Sequence, residues 1–207
     1  KATFERNKEA ALSESKYVIS CMNTDKACIF TDTGRLHLIK ITDMPFGRFR
    51  DKSIPLDNLG NYDSSGENII HICNLASIQD SMMLFATKTG MLKLVKGSEF
   101  DVSKRTVAAT KLADGDSIIA ICTADNFNQL VLQTENGYFI RFPMMNIPEM
   151  KKTAIGVRGI SLGSGDSVKA APLDSSQECA IIHNEKELLL NKLKLVNRGG
   201  KGTKVRV

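Results

Sequence analysis

The chain has 207 residues, of which 42% are hydrophobic and 25% charged, a composition typical of globular proteins rather than of disordered or fibrous ones. This length allows one large domain or two small ones. The sequence has no apolar run of about 18 residues and no apolar stretch behind a basic start, so neither a membrane span nor a secretory signal is expected. The formal net charge of +5 favours an acidic partner only weakly, so the position of the charge matters more.

The cysteines and histidines do not form the spacing of a metal site. The five cysteines are scattered, mostly within apolar runs, without a Cys-x-x-Cys pair, and the three histidines are far apart in sequence. We interpret the cysteines as small buried hydrophobic residues of a protein in a reducing compartment, and we expect no bound metal.

The chain repeats itself. Residues 29–36, 85–92 and 132–139 each contain an apolar run, a threonine, two polar residues, a glycine and a second apolar run. A degraded fourth copy spans residues 182–189, with Glu187 where the glycine would stand. The spacing of about 50 residues predicts a repeat architecture.

Each copy, here called a head, predicts a β-hairpin. Gly34, Gly90 and Gly137 supply the positive φ that a tight hairpin turn requires. The second arm alternates apolar and polar residues, as in Leu92-Lys93-Leu94, which is typical of a strand with one buried face. Without its glycine, the fourth turn is expected to be looser or longer.

Each head is followed by a tail, in which basic residues precede small or β-branched ones, a glycine-acid turn and another apolar strand. Asp114, Asp116 and Asp166 lie in such turns, where aspartate is favoured because it hydrogen bonds to the backbone. About four strands in each unit predict a blade, and because one blade cannot bury both its faces, neighbouring blades must stack.

We therefore predict a single all-β, propeller-like domain over residues 1–207, with about four (four to five) blades. The predicted repeats are approximately 1–22 (partial), 23–73, 80–123, 126–171 and 177–207 (partial). The first of these rests on the likeness of residues 12–19 to residues 112–119, which predicts the end of an earlier tail. Residues 5–12 are also rich in helix-forming residues, so a short N-terminal helix is the alternative.

The positive charge is concentrated where the tails begin. Four basic segments, residues 46–56, 103–112, 151–162 and 197–207, together carry +12, whereas the rest of the chain carries −7. The predicted phosphate contacts lie in these segments: Arg48, Arg50, Lys52, Lys104, Arg105, Lys151, Lys152, Arg158, Arg198, Lys201, Lys204 and Arg206.

Equivalent positions in successive blades lie on one rim, so these segments predict a basic belt. Such a belt suits duplex DNA, since lysine and arginine bind phosphates without reading sequence. Simple solvation of the rim is the alternative for any one segment. The competing functions are a propeller scaffold whose rim docks an acidic protein, and an enzyme with its site in the central channel. The histidines and acids do not converge as the enzyme would require.

The aromatic residues suggest no catalytic centre. Tyr17, Tyr62 and Tyr138 lie in or beside predicted β units, and Tyr138 is interpreted as a packing or rim residue. Phe46, Phe49 and Phe100 lie near basic segments, where they either touch DNA or, as we expect, pack in the core or between blades.

Several segments together resemble the C-terminal domain of bacterial type IIA topoisomerase A subunits, the family of DNA gyrase and topoisomerase IV. They are Leu84-Phe85-Ala86-Thr87-Lys88-Thr89-Gly90-Met91, Tyr138-Phe139-Ile140-Arg141-Phe142-Pro143 and Ala154-Ile155-Gly156-Val157-Arg158-Gly159-Ile160. The resemblance extends over nearly the whole chain. It implies a β-pinwheel, a propeller-like disc whose blades exchange strands, with double-stranded DNA bound or wrapped around a basic rim.

The same resemblance implies the partners. The domain would present DNA to the N-terminal breakage-reunion core of its own subunit, within a heterotetramer with the ATPase B subunit, in the bacterial cytoplasm at the nucleoid. ATP, Mg²⁺ and the catalytic tyrosine would belong to other domains or subunits, with no cofactor in this chain.

One family motif is only partly matched. Gyrases carry a Gln-Arg-Arg-Gly-Gly-Lys-Gly box, usually in the first blade, that is linked to wrapping. Here Val196 and Asn197 replace its first two residues, Arg198–Gly202 match, and the stretch lies in the last repeat. The match therefore does not distinguish gyrase from topoisomerase IV. Its glycines are expected to let the backbone approach a phosphate, with a flexible C-terminal tail as the alternative.

Overall fold

The computed structural model describes residues 2–48, 51–125, 128–174 and 179–205. It opens with helix α1 (Ala2–Glu14), and a short helix, α2, covers Leu75–Ile78. The strands in the described ranges are β1 (Lys26–Thr31), β2 (Arg35–Lys40), β3 (Ile69–Asn74), β4 (Met82–Thr87), β5 (Met91–Lys96), β6 (Thr106–Ala108), β7 (Ile118–Thr123), β8 (Gln129–Thr134), β9 (Tyr138–Pro143), β10 (Val157–Arg158), β11 (Val168–Asp174), β12 (Ala180–His183), β13 (Lys186–Leu189) and β14 (Thr203–Lys204). None of the helices in these ranges is long and apolar enough to cross a membrane.

The strands form three four-stranded antiparallel sheets and a two-stranded hairpin. Blade A has the strand order β3-β1-β2-β6, blade B has β10-β5-β4-β7, and blade C has β11-β8-β9-β14. Blade D is the hairpin β12-β13. The prediction of an all-β propeller-like fold with about four blades is confirmed.

Neighbouring units exchange strands. The outer strand of blade A, β6, lies in the tail that follows the blade B hairpin, and it pairs with β2. In the same way, β10 pairs with β5 and β14 pairs with β9, and each of these outer strands comes from the unit after the blade that it completes. Each tail thus ties its own unit to the preceding blade, as the resemblance implied.

The hairpin motif folds as its residues require. Gly34, Gly90 and Gly137 adopt φ values of 79°, 84° and 76°. Buried threonine hydroxyls complete the next two turns, since Thr87 Oγ1 accepts from the Met91 amide at 3.1 Å and Thr134 Oγ1 from the Tyr138 amide at 3.2 Å. This explains the threonine three residues before Gly90 and Gly137.

The glycine-acid turns brace these hairpins. The Asp116 carboxylate accepts from the amide and hydroxyl of Thr89 at 3.0 and 2.6 Å, and Asp166 accepts from the Asn136 amide at 3.1 Å. The prediction that these two aspartates serve backbone hydrogen bonding is confirmed.

The apolar core lies between successive blades. Phe30 of blade A meets Phe85 of blade B and Phe100 edge-on, with ring centroids 6.1 and 5.2 Å apart. A second cluster joins blades B and C through residues such as Leu92 and Leu132, and a third joins blade C to blade D. Stacking of this kind buries apolar faces that a single sheet leaves open.

Three expectations are corrected. Residues 2–14 form the helix that was the alternative, and residues 15–25 contain no strand, so the earlier tail expected up to residue 22 is wrong. The fourth turn is shorter than the others, because Asn184 and Glu185 close it alone at φ values of 50° and 66°. Phe46 is 98% exposed instead of packed, whereas Phe100 is fully buried as expected and Phe49 lies outside the described residues.

The cysteines are all free. Cys28 and Cys73 are buried, as predicted, and face each other across β1 and β3, while Cys21, Cys122 and Cys179 are half-buried. The described residues include no group of three or more histidine, cysteine or acidic side chains arranged to hold a metal ion.

Candidate nucleic-acid interface

Beside three of the four basic segments, the chain crosses the preceding hairpin at the same place; the crossing residue is Arg105 within the second segment, Pro148 shortly before the third and Val196 directly before the fourth. The crossing point is the fourth residue of the second arm, which is Leu38 in β2, Leu94 in β5 and Arg141 in β9. The Leu38 amide donates to the Arg105 carbonyl at 2.7 Å, and the Leu94 amide donates to the Pro148 carbonyl at 3.2 Å. In blade C the Val196 amide donates to the Arg141 carbonyl at 2.9 Å. The start of each exchanged tail therefore lies at an equivalent corner of three successive blades.

A second contact repeats at the residue nine positions after each hairpin glycine. In blade A, Asp43 Oδ2 lies 3.4 Å from Arg105 Nη2, and in blade B, Glu99 Oε1 lies 3.1 Å from Lys151 Nζ. In blade C, the carbonyl of Asn146 accepts from Arg198 Nε at 2.7 Å. Each contact joins one unit to the basic segment of the next.

Most of the predicted cations are exposed on these segments. Among the predicted cations, five exposed side chains make no hydrogen bond or ion pair with a described residue: those of Lys52, Lys104, Arg158, Lys201 and Lys204. Arg48 is exposed and lies 3.5 Å from Asp51, in the first segment, which crosses no earlier hairpin in the described chain. Arg50 and Arg206 lie outside the described residues.

Lys152 and Arg198 depart from the expected role. Lys152 Nζ donates to the Glu99 carbonyl at 2.8 Å. The Arg198 guanidinium binds the carbonyls of Asn146 and Arg158 at 2.7 and 3.0 Å. Both side chains are half-buried and hydrogen bonded to backbone oxygens. In the absence of DNA their role is therefore structural.

The glycine-rich loop also departs from expectation. The Gly199 amide donates to the Gly159 carbonyl at 2.7 Å, and a Cβ at Gly202 would lie 2.5 Å from the Phe139 carbonyl oxygen. These glycines let the loop pack closely against neighbouring backbone. They do not form an open loop that could surround a phosphate. The alternative of a flexible tail is wrong for residues 197–205, which end in strand β14.

The end of this loop carries a cationic and aromatic cluster. Lys201 Nζ and Lys204 Nζ lie 5.2 and 5.7 Å from the centroid of the Tyr138 ring. Lys204 pairs with Tyr138 across β14 and β9, and Arg158 occupies the equivalent register opposite Met91 in blade B. Tyr138, predicted to be a packing or rim residue, is half-buried and has both lysine ammonium groups near its ring.

Two cations that the sequence analysis missed complete the corner of blade A. Lys26 and Lys40 are cross-strand partners at the open end of the first hairpin, and together with Lys104, Arg105 and Asp43 they line a shallow groove. Lys26 also binds Asp101 at 3.1 Å. The available signal was their place on either side of the predicted hairpin at residues 29–36, whose strands extend far enough to pair them.

Glu99 remains ionised beside these cations. Burial raises its pKa, but the hydrogen bond from the Lys152 amide and the ammonium of Lys151 outweigh that effect, so its pKa lies below the usual value. The Lys152 amide donates to Glu99 Oε2 at 3.0 Å. Glu99 therefore offers a local negative charge that competes with any phosphate for Lys151.

Buried polar side chains support the crossings from inside. Burial lowers the pKa of Lys93 to about 8, although the nearby Glu99 opposes this. In blade A, His37 Nε2 lies 2.8 Å from Glu67 Oε1. Burial raises the pKa of Glu67, yet hydrogen bonds from Thr31 and the Asp63 backbone, with His37, hold it below its usual value.

Sheets that take their outer strand from the following repeat define this protein as a β-propeller of the pinwheel class. A family described as "DNA gyrase C-terminal domain, beta-propeller" matches residues 81–121 and 128–171, which correspond to strands β4–β7 and β8–β11. Over these two stretches the chain is similar to this family of gyrase C-terminal domains.

Similar proteins extend this likeness over most of the chain. The A subunit of DNA gyrase from Chlamydia pneumoniae is 30% identical over 197 residues, covering 91% of this chain and 24% of that protein. Its counterpart from Lawsonia intracellularis is 31% identical over 202 residues, covering 92% of this chain and 24% of its own length. The solved C-terminal domain of a DNA topoisomerase IV superposes with a TM-score of 0.80 at 20% identity, over 96% of this chain and 67% of that one. The chain thus spans about a quarter of the gyrase subunits that it matches.

Proposed function

We propose that this chain binds duplex DNA without sequence preference along the outer edge of its blades. In this proposal it is the non-catalytic C-terminal domain of a type II topoisomerase A subunit. The observation that carries the proposal is the repeated placement of basic segments at one corner of blades A, B and C. These corners, where the tails cross the hairpins, follow one another in the order of the blades. A polyanion bound at one corner can therefore also contact the next.

The charges suit phosphate recognition. Lys104 in the corner of blade A and Arg158 beside blade B are exposed without an ion partner among the described residues, and Lys201 and Lys204 flank Tyr138 in blade C. Lysine and arginine contacts to phosphate supply affinity that does not depend on base sequence. Bending a duplex of 20–30 bp by 40–90° costs roughly 1–6 kcal/mol, which several such contacts offset.

The proposed partners are those that the family resemblance implies. We propose that DNA held here is passed to the breakage-reunion core of the same subunit, in a complex with the ATPase B subunit in the bacterial cytoplasm. The catalytic tyrosine, ATP and Mg²⁺ would be supplied by those parts, with no cofactor in this chain.

Neutralising pairs of cations tests this function. Lys104→Gln with Arg105→Gln, and separately Lys201→Gln with Lys204→Gln, should weaken binding to unrelated duplex sequences by similar factors in a fluorescence-anisotropy titration. Log affinity of the unmodified chain should fall with log salt at a slope of about −0.9 for each phosphate neutralised, and each pair should reduce that slope. Lys88→Gln, in a hairpin turn outside the basic segments, is the matched control and should change neither quantity.

The outcomes separate the alternatives. A loss confined to one DNA sequence would indicate base readout, and an affinity independent of salt would reject the phosphate belt. Binding of an acidic protein but not of DNA would instead support the scaffold function.

A further inference from the structure

Lys93 is a buried cation in the middle of β5, with only 1% of its surface exposed. Its ammonium points at the backbone of the next tail and donates to the carbonyls of Ala154, Lys152 and Lys151 at 2.8, 2.9 and 3.4 Å. A lysine ammonium has three N–H donors, so one side chain uses its whole donor set on one stretch of four residues.

The surroundings of this ammonium group are unfavourable for a charge. The Phe85 ring centroid is 5.5 Å from Nζ, and Glu99 is the nearby acid. A buried ammonium is costly unless its hydrogen bonds are satisfied, and burial has already lowered the pKa of Lys93. The three carbonyls are therefore what makes the charged form tolerable at this place.

The loop that Lys93 holds is part of the third basic segment. The side chain of Lys151 is 79% exposed on its outer surface, while the backbone beneath it is bound to Lys93. Glu99 fixes the same loop from the side through the Lys152 amide. The inner contacts thus determine where the outer cation stands.

Other blades hold the tail in a related way with different side chains. In blade C, Arg141 Nη1 donates to the carbonyls of Asn191 and Leu193 at 2.6 and 2.7 Å. In blade A, His37 Nδ1 lies 3.0 Å from Thr106 Oγ1, directly after Arg105. A polar side chain on each second arm therefore anchors the incoming tail.

We propose that Lys93 is a positioning residue for DNA binding: its buried ammonium fixes the backbone of residues 151–154 so that the Lys151 side chain is presented to phosphate. This inference rests on the proposed function. Because the loop is ordered before DNA arrives, binding does not have to supply the free energy of ordering it.

The test compares Lys93→Met with Lys93→Arg, which retains a permanent charge and several donors. Lys93→Met should weaken duplex binding about five- to tenfold and speed amide hydrogen exchange over residues 150–156, with an unchanged far-UV spectrum. Lys93→Arg should restore at least part of both. Equal affinity of the three proteins, or a loss in Lys93→Arg as large as in Lys93→Met, would overturn the inference.

A pH series remains informative should Lys93→Met fail to fold. Between pH 7 and about 9.5, duplex affinity of the wild-type chain should fall more than that of Lys93→Arg, because only the lysine loses its proton in this range. The charged groups facing this side chain are Glu99, Lys151 and Lys152, and all three are present in both proteins, so the difference isolates residue 93. Parallel profiles would contradict the inference.

A double substitution distinguishes failure of this inference from failure of the proposed function. Lys151→Gln with Lys152→Gln removes the cations and leaves Lys93 in place. If it weakens DNA binding while Lys93→Met does not, only the positioning role fails. If neither affects binding, and the pairs in blades A and C are also without effect, the DNA-binding function itself fails.

Discussion

The carboxylate of Glu99 lies 3.1 Å from the ammonium of Lys151, and so joins the turn that ends one hairpin to the basic segment of the next unit. Asp43 stands in the same relation to Arg105. These acids order the cations, but they also neutralise them. An amide at either position would keep much of the hydrogen bonding without the competing charge.

Glu99→Gln should therefore strengthen duplex binding by about two- to fivefold, because an ion pair with an exposed lysine contributes about 1 kcal/mol and its loss releases Lys151 for phosphate. Fluorescence anisotropy at low and moderate salt measures the change. Glu135→Gln, which removes the same charge from an exposed hairpin turn, is the control and should have a smaller effect. Weaker binding by Glu99→Gln would show that the acid acts mainly by ordering the loop.

Gly97 has no room for a side chain. A Cβ there would lie 1.7 Å from the Ile78 carbonyl oxygen, against backbone that cannot yield easily. Gly97→Ala should lower the free energy of unfolding by about 2–4 kcal/mol in urea denaturation, since it forces α2 away from the turn. Gly163→Ala is the control, because a Cβ there meets no atom within 4 Å. Similar midpoints for the two variants would contradict the packing described.

A single substitution in the turn of blade D should increase the stability of the protein. Glu185 adopts a φ of 66°, which costs an ordinary side chain energy that glycine does not pay. Glu185→Gly creates the Asn-Gly pair preferred in two-residue hairpin turns and should raise the free energy of unfolding by about 0.5–1 kcal/mol. Thermal denaturation measures it, with Lys186→Gly expected to destabilise the same hairpin. A loss of stability in Glu185→Gly would refute the tight turn.

Stability should rise with pH where Lys93 titrates. Its pKa is lowered by burial from 10.5 to about 8, so between these values the unfolded chain holds a proton that the folded chain has lost. The free energy of unfolding therefore increases across that window, by at most about 3 kcal/mol from this group. Urea denaturation at several pH values should show the rise in the wild-type chain and a smaller one in Lys93→Met. Identical slopes would mean that Lys93 is not the group responsible.

The hairpins were predictable because Gly34, Gly90 and Gly137 each meet a local requirement, a positive φ in a tight turn. The stacking of blades followed from the repeat itself. The helix at residues 2–14 was the less favoured alternative, since the likeness of residues 12–19 to a later tail outweighed helix propensity. The turn at Asn184 was missed because asparagine, like glycine, tolerates positive φ.

The positive charge of the site was predictable from the sequence, but the hydrogen-bond acceptors of its cations were not. A lysine in the sequence has no visible acceptor, so the engagement of Lys152 and Arg198 with carbonyls appeared only when the tail was placed against the preceding blade. The contacts of Lys93 were also not predictable from the sequence. Its alternation with leucines indicated only that it lies on the polar face of a strand. Phe46 was expected to pack because phenylalanine usually does, but none of the described residues of its loop covers it.

The dependence of affinity on duplex length tests the central claim most directly. Blunt duplexes from about 15 to about 60 bp should bind progressively tighter until the basic corners are all occupied, after which affinity per site levels off. Neutralising Lys201 and Lys204 together should move that plateau to shorter duplexes. An affinity that does not increase beyond the shortest duplex, once the number of overlapping sites is taken into account, would contradict a continuous DNA path along the blades.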